Sequence, residues 1–192
     1  SKTAAAAQRM HEAGLPIITI LADPTTGGVY ASYASQGDVT LAEAGALIGF
    51  AGPRVRAVKN KEETRDTLYA EDLAEGGLVD AVLPRDAIRD QLIRVLGLLR
   101  EPVVPNPDLL APAIKPRNLE RGWSVVERAR HEDRPRAMQY LERIAADFVP
   151  LRGDRSGIDD PALLGGLARI GDTNCVVIAQ GRGDRQLDGD RH

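Results

Sequence analysis

The chain reads as an α/β protein, and three features of its pattern say so. Short apolar runs of strand character recur at 16–22, 39–42, 46–50 and 78–83. Segments of helical spacing or composition stand before, between and after them. Glycine, proline or aspartate punctuates nearly every junction, as at Gly14, Asp23-Pro24, Gly52-Pro53 and Gly76-Gly77.

Taken in order, residues 1–13 are rich in alanine, carry Gln8, Arg9 and Glu12 on a polar side, and stop at Gly14 and Pro16. This is a helix with a glycine stop. The run PIITILA, 16–22, is a buried strand bounded by Gly14 and Asp23-Pro24. Thr25, Thr26 and the pair Gly27-Gly28 then open a small-residue segment, 29–36, expected to continue as a helix. A strand, a turn at Glu43 to Gly45 and a second apolar run follow, the last broken by Gly49, Gly52 and Pro53. The charged stretch 56–68 reads as a solvated helix or loop.

Residues 69–75 are a short helix closed by Gly76-Gly77, and 78–83 a strand. Pro84 suits the first turn of a helix over 85–100, in which Ile88, Leu92, Val95, Leu96 and Leu99 fall on one face. Five prolines between 101 and 117 mark a linker. Beyond it, 123–129 and 136–146 read as helices, the second with Met138, Leu141, Ile144 and Ala145 inward. The runs 163–170 and 175–180, joined by GDTN, read as a β-hairpin.

Composition narrows the function classes. At 192 residues and 43% hydrophobic content the chain can bury the core of one domain or of two small ones. A formal charge of −3 and a pI near 5.7 give no reason to expect nucleic acid as the main partner. The single Cys175, within CVVIA, reads as a buried small hydrophobe and excludes an intrachain disulfide or cysteine-based zinc cluster. His11, His131 and His192 form no metal-ligand spacing, so no metal is expected in this segment. No apolar run approaches the roughly 20 residues of a membrane span, and no signal-peptide pattern opens the chain. The expectation is a soluble, cytoplasmic protein without membrane contact.

The stretch 23–55 carries the chemistry. A strand followed by a Gly-Gly turn into a helix aims backbone N–H groups and the positive end of the helix dipole at one point. Such donors suit an anion or a developing oxyanion without any side-chain nucleophile. Read alone, the same glycines serve equally as a close-packing turn.

The words DPTTGGVYAS, GDVTLAE and ALIGFAGPRV, with SKTAAAAQRMHEAGLPI before them and AEDLAEGGLVDAVLP after, resemble the carboxyltransferase beta subunit of bacterial acetyl-CoA carboxylase. From RPRAMQYLERIAADFVPLRGDRSG to VVIAQ the chain resembles the start of the alpha subunit, with a turn carried by Phe148, Leu151, Gly153, Asp154 and Arg155. The resemblance implies a crotonase-like ββα spiral. It divides the chain into a beta-like domain at 1–100, a proline-rich linker at 101–118 and a partial alpha-like domain at 119–192. The residues 56–68 depart from the beta-subunit pattern. The first strands of the beta-like domain, a zinc ribbon, and the alpha-like domain's own glycine-rich turn have no counterpart here, as in a piece of a longer fused polypeptide.

The implied activity moves carboxyl from N-carboxybiotin, delivered on a carrier protein, to the α-carbon of acetyl-CoA or another short acyl-CoA, giving malonyl-CoA from the former for fatty acid biosynthesis. Its implied partners are biotin carboxyl carrier protein, biotin carboxylase and the remaining carboxyltransferase segments, within a homo- or hetero-oligomer. Gly27 and Gly28 take the catalytic place, as backbone donors to an enolate oxygen. Thr25 and Thr26 either cap the following helix or line the pocket. Phe50, Gly52 and Pro53 resemble pocket-lining residues, with Phe50 equally suited to the core. Arg54 suits a CoA phosphate or carboxylate, or a surface ion pair. Asp23, Asp38 and Glu43 read as structural. The alternatives are a non-catalytic assembly module on the same scaffold, or a crotonase-type hydratase or hydrolase. Arg152-Gly153-Asp154 and Arg182-Gly183-Asp184 spell an adhesion tripeptide, here read as a turn and a polar tail.

Overall fold

The computed structural model describes residues 2–50, 67–100 and 122–181. The readings for Gly52, Pro53, Arg54, most of 56–68, the linker and the polar tail lie outside the described residues.

Helix α1 (Lys2–Glu12) ends where Gly14 turns to φ +69°, as the glycine stop requires. Strand β1 (Ile18–Leu21) leads to the two-residue β2 (Thr25–Thr26). Strands β3 (Val39–Glu43) and β4 (Leu47–Gly49) follow, joined by a tight turn in which the Ala46 N–H donates to the Glu43 carbonyl. Strand β5 (Thr67–Tyr69) enters the short α2 (Ala70–Glu75), and β6 (Ala81–Leu83) precedes α3 (Ile88–Leu99). After α4 (Trp123–Ala129) and α5 (Ala137–Ile144) come β7 (Ala145–Leu151), β8 (Leu163–Ile170) and β9 (Thr173–Gln180).

The strands form three small sheets. In the first, β1 and β6 flank β3 in parallel, with Ile18 opposite Val39 and Leu41 opposite Ala81. The second orders β2-β4-β5, and the third is the antiparallel β7-β8-β9. Strand β3 is buried on both faces, and its period of two serves two cores. Ala42 joins Leu21, Ile48, Ala70, Leu73 and Val79 on one side. Val39 and Leu41 join Val95 and Leu98 of α3, Val149 of β7 and Leu167 of β8 on the other. The third sheet therefore packs directly on the first through α3.

Several expectations need correction: within the strand read as buried, Ile20 is 43% exposed, and Cys175 is only half-buried. Residues 29–36 form turns and one 3-10 turn (Ala34–Gln36), not an α-helix. The Ser32 hydroxyl donates to the Gly28 carbonyl at 2.5 Å, which takes that acceptor for a local turn. The helix expected over 136–146 stops at Ile144, and Ala145 begins β7, so Phe148 and Leu151 lie on a strand. Met138 and Ile144 face solvent, and only Leu141 of α5 is buried. On α3, Leu96 is exposed and Leu98 takes the inward place, because the packing face is set by β3 and β8.

Candidate functional site

The turn after β2 is built by backbone bonds. The Gly27 N–H donates to the Gly49 carbonyl at 2.8 Å, and the Gly27 carbonyl accepts from the Ala31 N–H at 3.0 Å. Gly27 sits at φ +66°, a left-handed conformation that favours glycine. Its N–H is therefore used inside the fold, tying β2 to the end of β4. Gly28 differs. No partner for its N–H is found among the described residues, the residue is exposed, and a Cβ built on it would meet nothing within 4 Å. Of the two glycines expected to donate, only Gly28 keeps its N–H unengaged.

With no α-helix after the turn, Thr25 and Thr26 have nothing to cap. The Thr25 hydroxyl donates to the Ala22 carbonyl at 2.7 Å and closes the corner between β1 and β2. Thr26 pairs with Gly49 in the second sheet. Phe50 is 61% exposed, so it is not a core residue. Its ring meets Tyr30 edge to face, with centroids 5.3 Å apart.

The acids near the turn hold backbone in place. Asp23 accepts the Leu47 N–H at 2.9 Å, and Glu43 accepts the Asp23 N–H at 3.2 Å. Arg85 grips Glu43 through two N–H groups and holds its carboxyl below the usual glutamate range. Asp38 accepts the Ile17 N–H at 2.7 Å and lies 3.3 Å from His11. Each carboxylate is engaged by backbone, so none stands ready as an acid–base pair. Among the described residues no group of His, Cys, Asp and Glu is placed to hold a metal ion.

Beside the turn lies a cavity of about 270 Å³. Tyr30, Ser35, Thr40 and Phe50 line it from the first segment, and Arg155 from the second. Arg155 is held by Asp80, whose side chain is 1% exposed, through an Nη2–Oδ2 contact of 2.6 Å. The same carboxylate accepts the Thr40 N–H at 2.7 Å and the Arg152 N–H at 2.8 Å. Three donors thus satisfy a buried charge that would otherwise be costly. Burial pushes the Tyr30 phenol above its ordinary value, and the nearby Arg155 charge opposes that shift. Sequence reasoning assigned no site role to Tyr30, Asp80 or Arg155. An aspartate after the apolar GGLV gave no signal of burial, because its partners are distant in sequence.

Residues 116–189 match the family described as "Acetyl co-enzyme A carboxylase carboxyltransferase-like". The chain is 41% identical over 185 residues to the acetyl-coenzyme A carboxylase carboxyl transferase subunits beta/alpha of Salinispora tropica, covering 91% of this chain and 33% of that protein. It is 40% identical over 182 residues to a probable biotin-dependent acyl-coenzyme A carboxylase beta3 subunit of Mycobacterium bovis, covering 94% of this chain and 36% of that one. The chain thus spans about a third of the length of these relatives. Among solved structures, the transcarboxylase 12S core superposes with a TM-score of 0.54 at 20% identity, over 94% of this chain and 35% of that one. The mixed α/β architecture is accordingly the crotonase-like fold. By sequence, the chain is similar to the carboxyl transferase subunits of acetyl-CoA carboxylase over about a third of their length.

Proposed function

We propose that this chain is part of the carboxyltransferase component of a biotin-dependent acyl-CoA carboxylase, its beta-like residues 1–100 joined through 101–118 to alpha-like residues 119–192. The substrate is acetyl-CoA or another short acyl-CoA, and the acetyl product is malonyl-CoA, a precursor for fatty acid biosynthesis. N-carboxybiotin on a carrier protein supplies the carboxyl group, and the ureido nitrogen it leaves accepts the α-proton. The carboxyl–nitrogen bond breaks as the new carbon–carbon bond forms at the α-carbon of the thioester.

In this reading the chain's own part is to stabilise the enolate oxygen, and Gly28 supplies a backbone donor. The observation that carries it is at Gly28, an exposed residue whose N–H has no partner among the described residues and beside which a side chain would meet open space. One such donor contributes about 3–4 kcal/mol to transition-state stabilisation. Gly27 takes the supporting role, since its N–H holds the turn to Gly49. Thr25 and Thr26 place the turn, Phe50 lines the pocket, and Gly52, Pro53 and Arg54 complete it, Arg54 toward a CoA phosphate or carboxylate. The working assembly is a cytoplasmic oligomer with biotin carboxylase, biotin carboxyl carrier protein and the remaining carboxyltransferase segments. No helix among the described residues is long and apolar enough to cross a membrane.

The test is direct. Full-length parent protein, given carboxylated biotin carrier and acetyl- or propionyl-CoA, yields the carboxylated thioester. Absence of transfer to any short acyl-CoA overturns the reading.

A further inference from the structure

The cavity near the Gly27-Gly28 turn is lined mainly by apolar surface, with a few polar groups and no acid among its described lining residues. Tyr30, Ser35, Thr40 and Arg155 are its polar lining residues, while Leu21 and Leu78 give it an apolar side. A wall of this composition favours a small molecule with acceptor oxygens at one end and an apolar body at the other. The cation comes from the far side of the proline-rich stretch, so the cavity is closed only when both segments are packed together.

We propose that this cavity binds the carboxylate of a short aliphatic acid, and that Arg155, held in place by Asp80, is the residue that selects the charge. Asp80 engages one guanidinium nitrogen, Nη2, at 2.6 Å, and its charge is shared with the Thr40 and Arg152 N–H groups. The Nη1 contacts to the Gly77 and Arg152 carbonyls are long, at 3.5 and 3.4 Å. Donor capacity therefore remains for a ligand, since a guanidinium carries five N–H groups in a fixed fork. Arg155 also sits at φ +65°, unusual for a residue with a side chain and sustained here by its anchoring to Asp80. The volume of about 270 Å³ suits an acid of a few carbons rather than a long chain. The site follows from the cavity alone and does not require carboxyl transfer.

The experiment is a ligand-observed NMR titration of the full chain with propionate and with propionamide, the neutral molecule of the same shape. Propionate is expected to bind about tenfold tighter, the scale of one charge-assisted hydrogen bond. Arg155→Gln is expected to remove that preference, and Arg155→Lys to keep part of it. Thermal melting checks folding, and if Arg155→Gln does not fold, Arg155→Lys and Tyr30→Phe decide. Each should then weaken propionate at least threefold while leaving propionamide unchanged. Equal binding of the two ligands overturns the site, as does undiminished preference in folded variants. Failure here with carboxyl transfer intact removes this inference alone; propionate binding without transfer removes only the proposed reaction.

Discussion

Two glycine pairs that look alike in sequence, Gly27-Gly28 and Gly76-Gly77, stand in opposite surroundings. At Gly77 the backbone has φ +65°, and an added Cβ would lie 2.6 Å from the Gly153 Cα. Gly153 mirrors it at φ +58°, with its own Cβ position 2.4 Å from the Gly77 carbonyl oxygen. There glycine is a packing requirement, because two backbones occupy the space of the missing side chains. At Gly28 neither a left-handed backbone nor a neighbour within 4 Å demands glycine. A glycine that nothing crowds needs another explanation, and access to its N–H supplies one.

The largest effect should fall on the crowded pair. Gly153→Ala combines a left-handed backbone with overpacking, which together destabilise by about 3 kcal/mol or more. Denaturant unfolding of the full chain measures it, and a loss below about 1 kcal/mol would mean the two backbones part easily. Asp80→Ala comes next, removing the acceptor for Arg155 and for two backbone donors. A loss of about 3 kcal/mol is expected, the lower end for breaking a buried pair, because Arg155 keeps some access to water. Asp80→Asn should recover part of it.

A smaller effect sharpens the contact between α3 and the third sheet. Arg94 pairs with Asp147 and also donates to the Phe148 carbonyl at 3.3 Å. The pairing holds the Asp147 carboxyl below the usual aspartate range. A depressed folded pKa gives stability that is present above the unfolded value, near 3.9, and lost as pH falls through the folded one. Arg94→Gln should therefore cost stability at neutral pH, and the difference from wild type should shrink in unfolding experiments near pH 3. A difference independent of pH would assign Arg94 a packing role only.

Much of this frame was legible in the chain, for identifiable reasons. The β8–β9 hairpin turns at Gly171, which has φ +58°, as its turn chemistry suggested, although Thr173 and Asn174 already belong to β9. Strand β7 was hidden by Pro150, tolerated because β7 is an edge strand of its sheet. The segment after Gly28 has helical composition, yet the Ser32 hydroxyl and short-range turns take its acceptors. The glycine pair of the candidate site could be found from sequence, but not which N–H was already used. That depended on Gly49 lying opposite Thr26 in the second sheet. Asp80 and Arg155 were invisible as a pair because only tertiary packing brings them together.

The smallest stability effect and the largest functional one are expected at the same residue. Gly28→Val meets no neighbour, so it should change the unfolding free energy by about 1 kcal/mol or less. In the active parent enzyme its branched side chain would stand beside the path to the N–H, and the carboxylation rate should fall about a hundredfold or more. The rate of acetyl-CoA carboxylation by folded Gly28→Val protein, set beside wild type, is the most direct measurement. A hundredfold loss with an unchanged melting transition is the predicted result. Near-normal turnover in a folded protein would make Gly28 an ordinary turn residue and contradict the account.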